Sequence, residues 1–245
     1  MAARGVEVVS AIFRRQSKAW VDVINQDLRD RYKVLQERLR DPLLTALTVL
    51  LVIIIFVVSP LHAAEIIQSR GYGISVALVL VGAVLVMSGS VLAVIAMLIA
   101  VGLVVAANTL PLASGVDVHF YAWGWVTLGL ALLWVVARTV FAPGRVTYHR
   151  IIGAVLLYLT IGVVFVGFFA IIALLVPGSF SETLNPSEAS NLIYFSFVTL
   201  TSLGYGDIVA LHPLARSLCN VETIIGQLYP ATLLARLVTL QLQAP

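Results

Sequence analysis

The sequence is poor in charged residues and in cysteine. Asp, Glu, Lys and Arg make up 11% of its 245 residues, whereas soluble domains carry about a quarter. The single cysteine, Cys219, excludes an intramolecular disulfide and a multi-cysteine metal site. No hydrophilic stretch follows residue 242, so we expect no soluble ligand-binding domain after it. The composition therefore argues against a soluble protein.

Apolar residues are what the sequence has in abundance. They make up 60% of the chain, with a mean hydropathy of +1.03. A bilayer core of about 30 Å needs roughly 20 apolar residues per helix. Six runs are candidate spans, at residues 43–61, 74–88, 90–112, 121–141, 151–176 and 214–242. The second is short, and the sixth contains Arg216, Glu222 and Arg236. The sequence predicts an all-α membrane protein with six transmembrane helices.

Basic residues indicate the orientation. Nine of the fifteen Lys and Arg precede residue 42, and Arg138, Arg145 and Arg150 surround the link 142–150. Because basic loops stay in the cytosol, both regions and both termini are expected there, in a multi-pass protein of the cell membrane. Apolar residues recur every three or four positions in 1–41, which predicts a basic amphipathic helix. Two roles fit this segment: binding anionic lipids, or packing against neighbouring subunits. No nucleic acid partner is expected.

A glycine-rich loop lies between the fifth and sixth runs. Residues 201–207 read Thr-Ser-Leu-Gly-Tyr-Gly-Asp. Glycine permits backbone conformations in which successive carbonyl oxygens face one side, and such oxygens can replace the hydration shell of an ion. The predicted ion-coordinating residues are Thr201, Ser202, Leu203, Gly204, Tyr205 and Gly206.

This loop resembles the selectivity filter of the tetrameric potassium channel family, Thr-Val-Gly-Tyr-Gly-Asp, with Ser202 for the threonine and Leu203 for the valine. The resemblance implies that K⁺ is the permeant ion and that no cofactor is needed. One loop per chain supplies a quarter of a four-fold filter, so the resemblance implies a homotetramer. It also implies that K⁺ is coordinated by the carbonyl oxygens of Ser202, Leu203, Gly204 and Tyr205, with the Ser202 hydroxyl at the innermost site.

The residues before the loop predict a short helix. Asn185, Pro186 and Glu188 form a helix-start signal, and the helix is expected over 187–201. It is too short to span a bilayer, so the helix and the filter at 202–206 would form a re-entrant loop. With an outer helix at 151–176 and an inner helix at 214–242, this predicts a pore domain over 151–242.

The family resemblance extends to residues around the filter. It implies that Tyr194 and Phe195 lie behind the filter tyrosine and support the filter together with Asp207. It aligns the family's hinge glycine with Gly226, four residues before Pro230. The alternative is a glycine that allows close helix packing and a proline that is tolerated in a membrane helix. The implied cavity-facing residues are Gln227, Pro230, Ala231 and Leu234. Gln227 would hydrate an ion, and Leu234 would form a constriction.

Glu222 is an ionisable residue within a predicted span, where a charged side chain is expensive. Its role is either structural or in gating and pH sensing. The expected hydrogen-bond partners are Thr199, Thr201 and Ser202, or Arg216 of the partner subunit.

The two departures from the family filter bear on selectivity. Ser202 keeps the hydroxyl oxygen but lacks the β-branch that stiffens χ1 in threonine. Leu203 would point away from the ion path, so its larger size would strain the packing behind the filter. Both effects would reduce the discrimination between K⁺ and Na⁺.

The predicted four-helix domain at 42–141 resembles a voltage-sensor bundle without its arginines. Its fourth span offers only Arg138 near the inner end, so gating by such a sensor is not expected. The short link at 142–150 favours packing of these helices against the pore of their own subunit. Three functions remain open: a potassium-selective channel, a weakly selective cation channel, and a non-conducting regulatory subunit. An enzyme is disfavoured, because no nucleophile and base recur at motif spacing.

Overall fold

A computed structural model describes residues 42–64, 66, 91–109, 116–141, 148–182, 184 and 189–242. The predicted amphipathic segment at 1–41, the predicted second span at 74–88 and all four residues of the helix-start signal at 185–188 lie outside the described residues.

The described elements are helical apart from one isolated bridge. The helices, in chain order, are α1 (Pro42–Ala63), α2 (Val91–Thr109), α3 (Val116–Val140), α4 (Tyr148–Leu175), α5 (Ala189–Leu200) and α6 (Pro213–Leu242). Within α1, Ile54–Val58 is π-helical. A π-helical turn lies where a helix accommodates an extra residue. It brings Phe56 against Phe197 of α5, with ring centroids 5.5 Å apart.

Helix lengths agree only in part with the predicted spans. Three described helices are long and apolar enough to cross a bilayer, within Pro42–Ala63, Val118–Val140 and Ile151–Leu175. The apolar part of α2 is shorter, at Ala93–Ala106. The helix α3 begins at Val116, five residues before the predicted span at 121–141. Polar residues between the third and fourth predicted spans therefore lie in its first turns. With 30 residues, α6 is about 45 Å long, but its charged residues make it less apolar.

The first three described helices reach α4 by different contacts. The main ones run from α2 to α3 and from α3 to α4, and Thr48 of α1 donates to the carbonyl of Ile152 on α4 at 3.3 Å. The bundle therefore packs against α4 of its own chain through α1 and α3. Arg138, in the last turn of α3, lies 4.8 Å from the ring centroid of Trp134. Their shared bundle core consists of aliphatic residues and one methionine, including Leu44, Leu47, Leu51, Met97, Ala100, Val104, Leu132, Val136 and Leu156.

A second cluster of buried residues surrounds α5, which packs against both α4 and α6. Phenylalanine dominates this pore core. Its buried members are Ala122, Phe165, Phe169, Ala170, Phe180, Leu184, Leu192, Phe195 and Ala215. The pore core thus holds a helix that is too short to cross a bilayer between two longer ones.

Candidate functional site

The short helix α5 ends in a hydrogen-bonded cap formed by the first residues of the Gly-Tyr-Gly loop. The Leu203 N–H donates to the carbonyl of Val198 at 2.9 Å, and the Ser202 N–H donates to the carbonyl of Thr199 at 3.0 Å. This pair of bonds is the Schellman motif, whose penultimate residue takes the left-handed conformation and is usually glycine. Here that residue is Ser202, with φ of 58°. Thr201 lies in the turn, outside the helix in which it was predicted.

The backbone of the loop alternates in handedness. Gly204 and Gly206 have φ of 57° and 82°, and Ser202 is the one non-glycine residue with positive φ in the described part of the chain. The φ angles of Leu203 and Tyr205 are therefore negative. Alternating left- and right-handed residues turn successive N–H groups to one side and successive carbonyls to the other. A left-handed residue with a side chain costs roughly 1–2 kcal/mol, so the surrounding contacts must hold Ser202 in place.

The loop residues are exposed in the single chain. Leu203 is 56% exposed and Tyr205 67% exposed. The packing strain predicted behind Leu203 is therefore not present within one chain. Metal sites built from side chains are also lacking, since no group of three or more His, Cys, Asp or Glu side chains occurs among the described residues. Backbone and hydroxyl oxygens are the cation ligands that the loop offers.

Tyr194 supports the outer end of the loop. Its ring stacks on Tyr205, with centroids 6.4 Å apart and planes inclined by 4°. The Tyr194 hydroxyl donates to the Asp207 carboxylate, and this hydrogen bond lowers the pKa of Asp207. The backbone N–H of Ile208 acts in the same direction, while partial desolvation opposes it. Tyr194 thus contacts both Tyr205 and Asp207 within the single chain.

Phe195 does not lie behind the filter tyrosine. Its ring packs edge-on against Phe169 of α4 and Phe180, with centroids 4.9 and 5.2 Å apart. Successive residues of a helix point about 100° apart, so Tyr194 and Phe195 cannot both face the loop. Phe195 instead anchors α5 in the pore core. The prediction of its position was therefore wrong.

Glu222 of α6 is fully buried against the middle of α5. The hydroxyl of Ser196 lies 2.6 Å from its Oε1 and 2.9 Å from the carbonyl of Gly162 on α4. Ser196 was not among the predicted partners; it faces α6 because it lies one helical turn before Leu200 on the same side of α5. Glu222 Oε2 has no hydrogen-bond partner among the described residues. This contact joins α4, α5 and α6.

Four residues of α6, which we call the inner-helix seam, meet successive positions of α5 and the loop. They are Glu222, Thr223, Gly226 and Gln227. The Thr223 hydroxyl donates to the carbonyl of Thr199 at 3.2 Å, and Gln227 Nε2 donates to the hydroxyl oxygen of Ser202 at 2.9 Å. Gln227 therefore contacts the Gly-Tyr-Gly loop itself.

Gly226 makes the tightest contact of the seam. A Cβ at this position would overlap with the carbonyl oxygen of Leu200, the last residue of α5. Gly226 is thus a place where two backbones touch, as in close helix packing, and a hinge at this residue stays a prediction. Pro230 lies within α6 and leaves the carbonyl of residue 226 without its usual helical donor. The side chains of Gln227, Pro230, Ala231 and Leu234 are exposed in the single chain.

Two stacked tyrosines lie near the same end of α5, and one of them bonds to it. The Tyr158 hydroxyl of α4 donates to the carbonyl of Leu200 at 3.4 Å. Tyr158 stacks on Tyr229 of α6, whose own hydroxyl donates to the carbonyl of Ala154 at 2.8 Å. The sequence analysis missed these residues. An i, i+3 relation between Gly226 and Tyr229 was the available signal, because it places both on one side of α6.

The segment after the loop is tied to the segment after α4. Phe180 and Ala210 form an antiparallel bridge, and the Ser181 N–H donates to the carbonyl of Val209 at 2.9 Å. The Leu211 N–H donates to the carbonyl of Ser179 at 2.8 Å. Arg216, exposed at the start of α6, donates from Nε to the carbonyl of Ala210 at 3.0 Å. We call these contacts the outer clasp.

Comparison with known proteins supports a transport role. A family model described as an ion channel matches residues 154–242, which include most of α4 together with α5, the loop and α6. Neither the curated proteins nor the solved structures gave a significant match. The matched region and the apolar helices indicate a membrane protein that carries an ion channel domain, which is a transport domain and not typically that of an enzyme.

Proposed function

We propose that the chain forms a homotetrameric potassium channel whose filter is the loop at 202–206. The observation that carries the proposal is the alternation of φ from Ser202 to Gly206, directly after the capped end of α5. That alternation places carbonyl oxygens along one side of each loop. Four such loops around an axis would form rings of carbonyl oxygens, the arrangement that replaces the hydration shell of K⁺.

The exposed surfaces of the single chain support assembly. One stripe of α6 presents apolar side chains at helical spacing and is covered by no other described part of the chain: Leu214, Val221, Ile224 and Leu228. The loop beside it exposes Leu203 and Tyr205. A four-fold arrangement would cover this face with the neighbouring subunits while leaving the loop carbonyls on the axis. The proposed partners of each chain are thus three further copies of the same chain.

The proposed orientation follows the distribution of basic residues. Both termini and the link at 142–150 would be cytosolic in the cell membrane, and the filter would lie near the outer face. The segment at 1–41, which lies outside the described residues, would contact anionic lipids or other subunits. The lack of regularly spaced arginines in α3 argues for gating without a voltage sensor of that type.

The test is ion flux from the purified protein in liposomes. We expect K⁺ efflux, and a reversal potential in K⁺ and Na⁺ gradients that lies close to the K⁺ equilibrium potential. Equal permeability to K⁺ and Na⁺ would instead indicate a weakly selective cation channel. Absence of flux for both ions would indicate a regulatory subunit and contradict the proposal.

A matched pair of glycine variants locates the filter. Gly204→Ala introduces a side chain at φ of 57° in the loop, and Gly178→Ala introduces one at φ of 77° in the turn after α4; neither Cβ would meet another atom within 4 Å. The backbone strain is therefore comparable. We expect Gly204→Ala to abolish selective K⁺ flux and Gly178→Ala to retain it.

A further inference from the structure

The orientation of the Ser202 hydroxyl is controlled from α6. In the family filter the equivalent threonine has a β-branched side chain, which is stiff at χ1, whereas serine is free to take other rotamers. The Ser202 side chain is exposed in the single chain, so packing within the chain does not select its rotamer. Its hydroxyl oxygen instead accepts a hydrogen bond of 2.9 Å from Gln227 Nε2.

The position of Gln227 is itself fixed. The preceding residue, Gly226, lies against the carbonyl of Leu200, which holds α6 close to the end of α5. Thr223, one turn earlier, donates to the carbonyl of Thr199. These two contacts place the side chain of residue 227 beside the first filter residue. A side chain as long as glutamine is needed at position 227, because its amide must reach from α6 to Ser202 in the loop.

We infer that Gln227 is a selectivity-determining residue, which holds the Ser202 hydroxyl in the orientation required at the innermost ion site. This inference rests on the proposed function and deepens it. Discrimination between K⁺ and Na⁺ depends on the number and arrangement of the coordinating oxygens. The hydrogen bond from Gln227 restrains the χ1 rotamer of Ser202, as the β-branch restrains the threonine of the family filter. It uses one lone pair of the Ser202 oxygen and leaves the other available to the ion.

The test is a double-mutant cycle on the permeability ratio of K⁺ to Na⁺, measured from bi-ionic reversal potentials of the purified channel in planar bilayers. Gln227→Leu removes the amide and keeps a side chain of similar bulk. We expect the ratio to fall by about threefold to tenfold, the range that corresponds to one typical hydrogen bond. Gln227→Glu, which keeps the shape and removes the donor, should lower the ratio as well and guards against a folding defect of the first variant.

The second arm of the cycle restores the β-branch. In the Ser202→Thr background the hydroxyl no longer depends on Gln227, so Gln227→Leu should change the ratio by less than about twofold. Thr232→Val is the control: it removes a hydroxyl that donates to the carbonyl of Tyr229, three residues earlier in the same helix. We expect this control to leave the ratio unchanged.

The outcomes separate the two proposals. If the unsubstituted protein conducts K⁺ selectively and both Gln227 variants keep its ratio, the inference is wrong while the proposed function stands. An equal loss in the Ser202 and Ser202→Thr backgrounds would also overturn the inference, since the effect would then not pass through the serine hydroxyl. An unsubstituted protein without selective K⁺ flux would overturn both.

Discussion

The two buried regions of the chain are built from different kinds of contact. The bundle core, between α1, α2, α3 and α4, consists of aliphatic side chains and one methionine. Hydrogen bonds between helices occur in both regions, since Thr48 of α1 donates to the carbonyl of Ile152 on α4. The pore core and the inner-helix seam add edge-on phenylalanine contacts, the buried hydrogen bond between Ser196 and Glu222 and one backbone contact at Gly226. Aliphatic packing depends mainly on volume, whereas aromatic and polar contacts also fix direction.

This difference follows from what each region must hold. The helices of the bundle are long and satisfy their own backbone groups. The helix α5 is short, and the loop after its hydrogen-bonded cap has a strained residue and belongs to no helix or strand. Contacts of fixed geometry on three sides are therefore concentrated around α5. We expect a substitution in the bundle core to cost less stability than the equivalent substitution in the inner-helix seam.

The largest difference is expected between two helical glycines. A methyl group at Gly226 would overlap with the carbonyl of Leu200, whereas nothing lies within 4 Å of a Cβ at Gly102 in α2. Gly226→Ala should therefore destabilise the pore by about 3 kcal/mol and abolish K⁺ flux. Gly102→Ala should stabilise α2 by roughly 0.5–1 kcal/mol and keep the flux. Thermal unfolding in detergent would measure the stability of both variants, and liposome flux would measure their conduction. Similar results for the two variants would contradict the proposed difference between the bundle and the inner-helix seam.

A smaller difference is expected between two buried hydroxyls. Ser196→Ala leaves Glu222 Oε1 without its hydrogen-bond partner and should cost about 1–3 kcal/mol. Thr160→Val removes a hydroxyl that bonds to the carbonyl of Leu156 in its own helix and should cost about 1 kcal/mol or less. Thermal unfolding of the two variants in one detergent gives the comparison. Equal costs would show that the link between helices adds nothing.

Glu222→Gln completes this experiment, because an amide can still bond to Ser196. If Glu222 is structural, the current and its pH dependence should be unchanged by this variant. A shifted pH dependence would assign a sensing role to Glu222 instead.

The smallest effect concerns two exposed tyrosines. The hydrogen bond from Tyr194 lowers the pKa of Asp207. The stability that this bond contributes is therefore present above the ordinary pKa of aspartate and is lost as the pH falls through the lowered pKa. Tyr194→Phe should raise the pKa of Asp207 and move acid inhibition of the K⁺ current to higher pH. Tyr148→Phe, at the exposed start of α4, is the control and should leave the midpoint unchanged. A midpoint that stays constant in both variants would contradict the role of the bond.

Elements that depend on local sequence were predictable. The predicted runs at 43–61 and 151–176 agree with α1 and α4 to within a few residues, because length and hydropathy are local properties. The short helix before the Gly-Tyr-Gly loop was also expected, and α5 occupies most of the predicted range. The predicted span at 214–242 corresponds to α6 as a helix, although its charged residues keep its hydropathy low.

Contacts between helices were harder to predict, because they depend on the rotation of one helix relative to another. Ser196 could not be recognised as the partner of Glu222 without knowing which side of α5 faces α6. The same uncertainty led to the wrong position for Phe195. A glycine in a helix is compatible with bending or with close packing, and only the position of Leu200 distinguishes the two at Gly226. The hydrogen bond between Gln227 and Ser202 was missed for the same reason.

The outer clasp has a consequence for the order of assembly. It joins residues 179–181 to residues 209–212 of the same chain, and Tyr194 and Asp207 are likewise bonded within one chain. These contacts can therefore form while a single chain folds, before it meets a second copy.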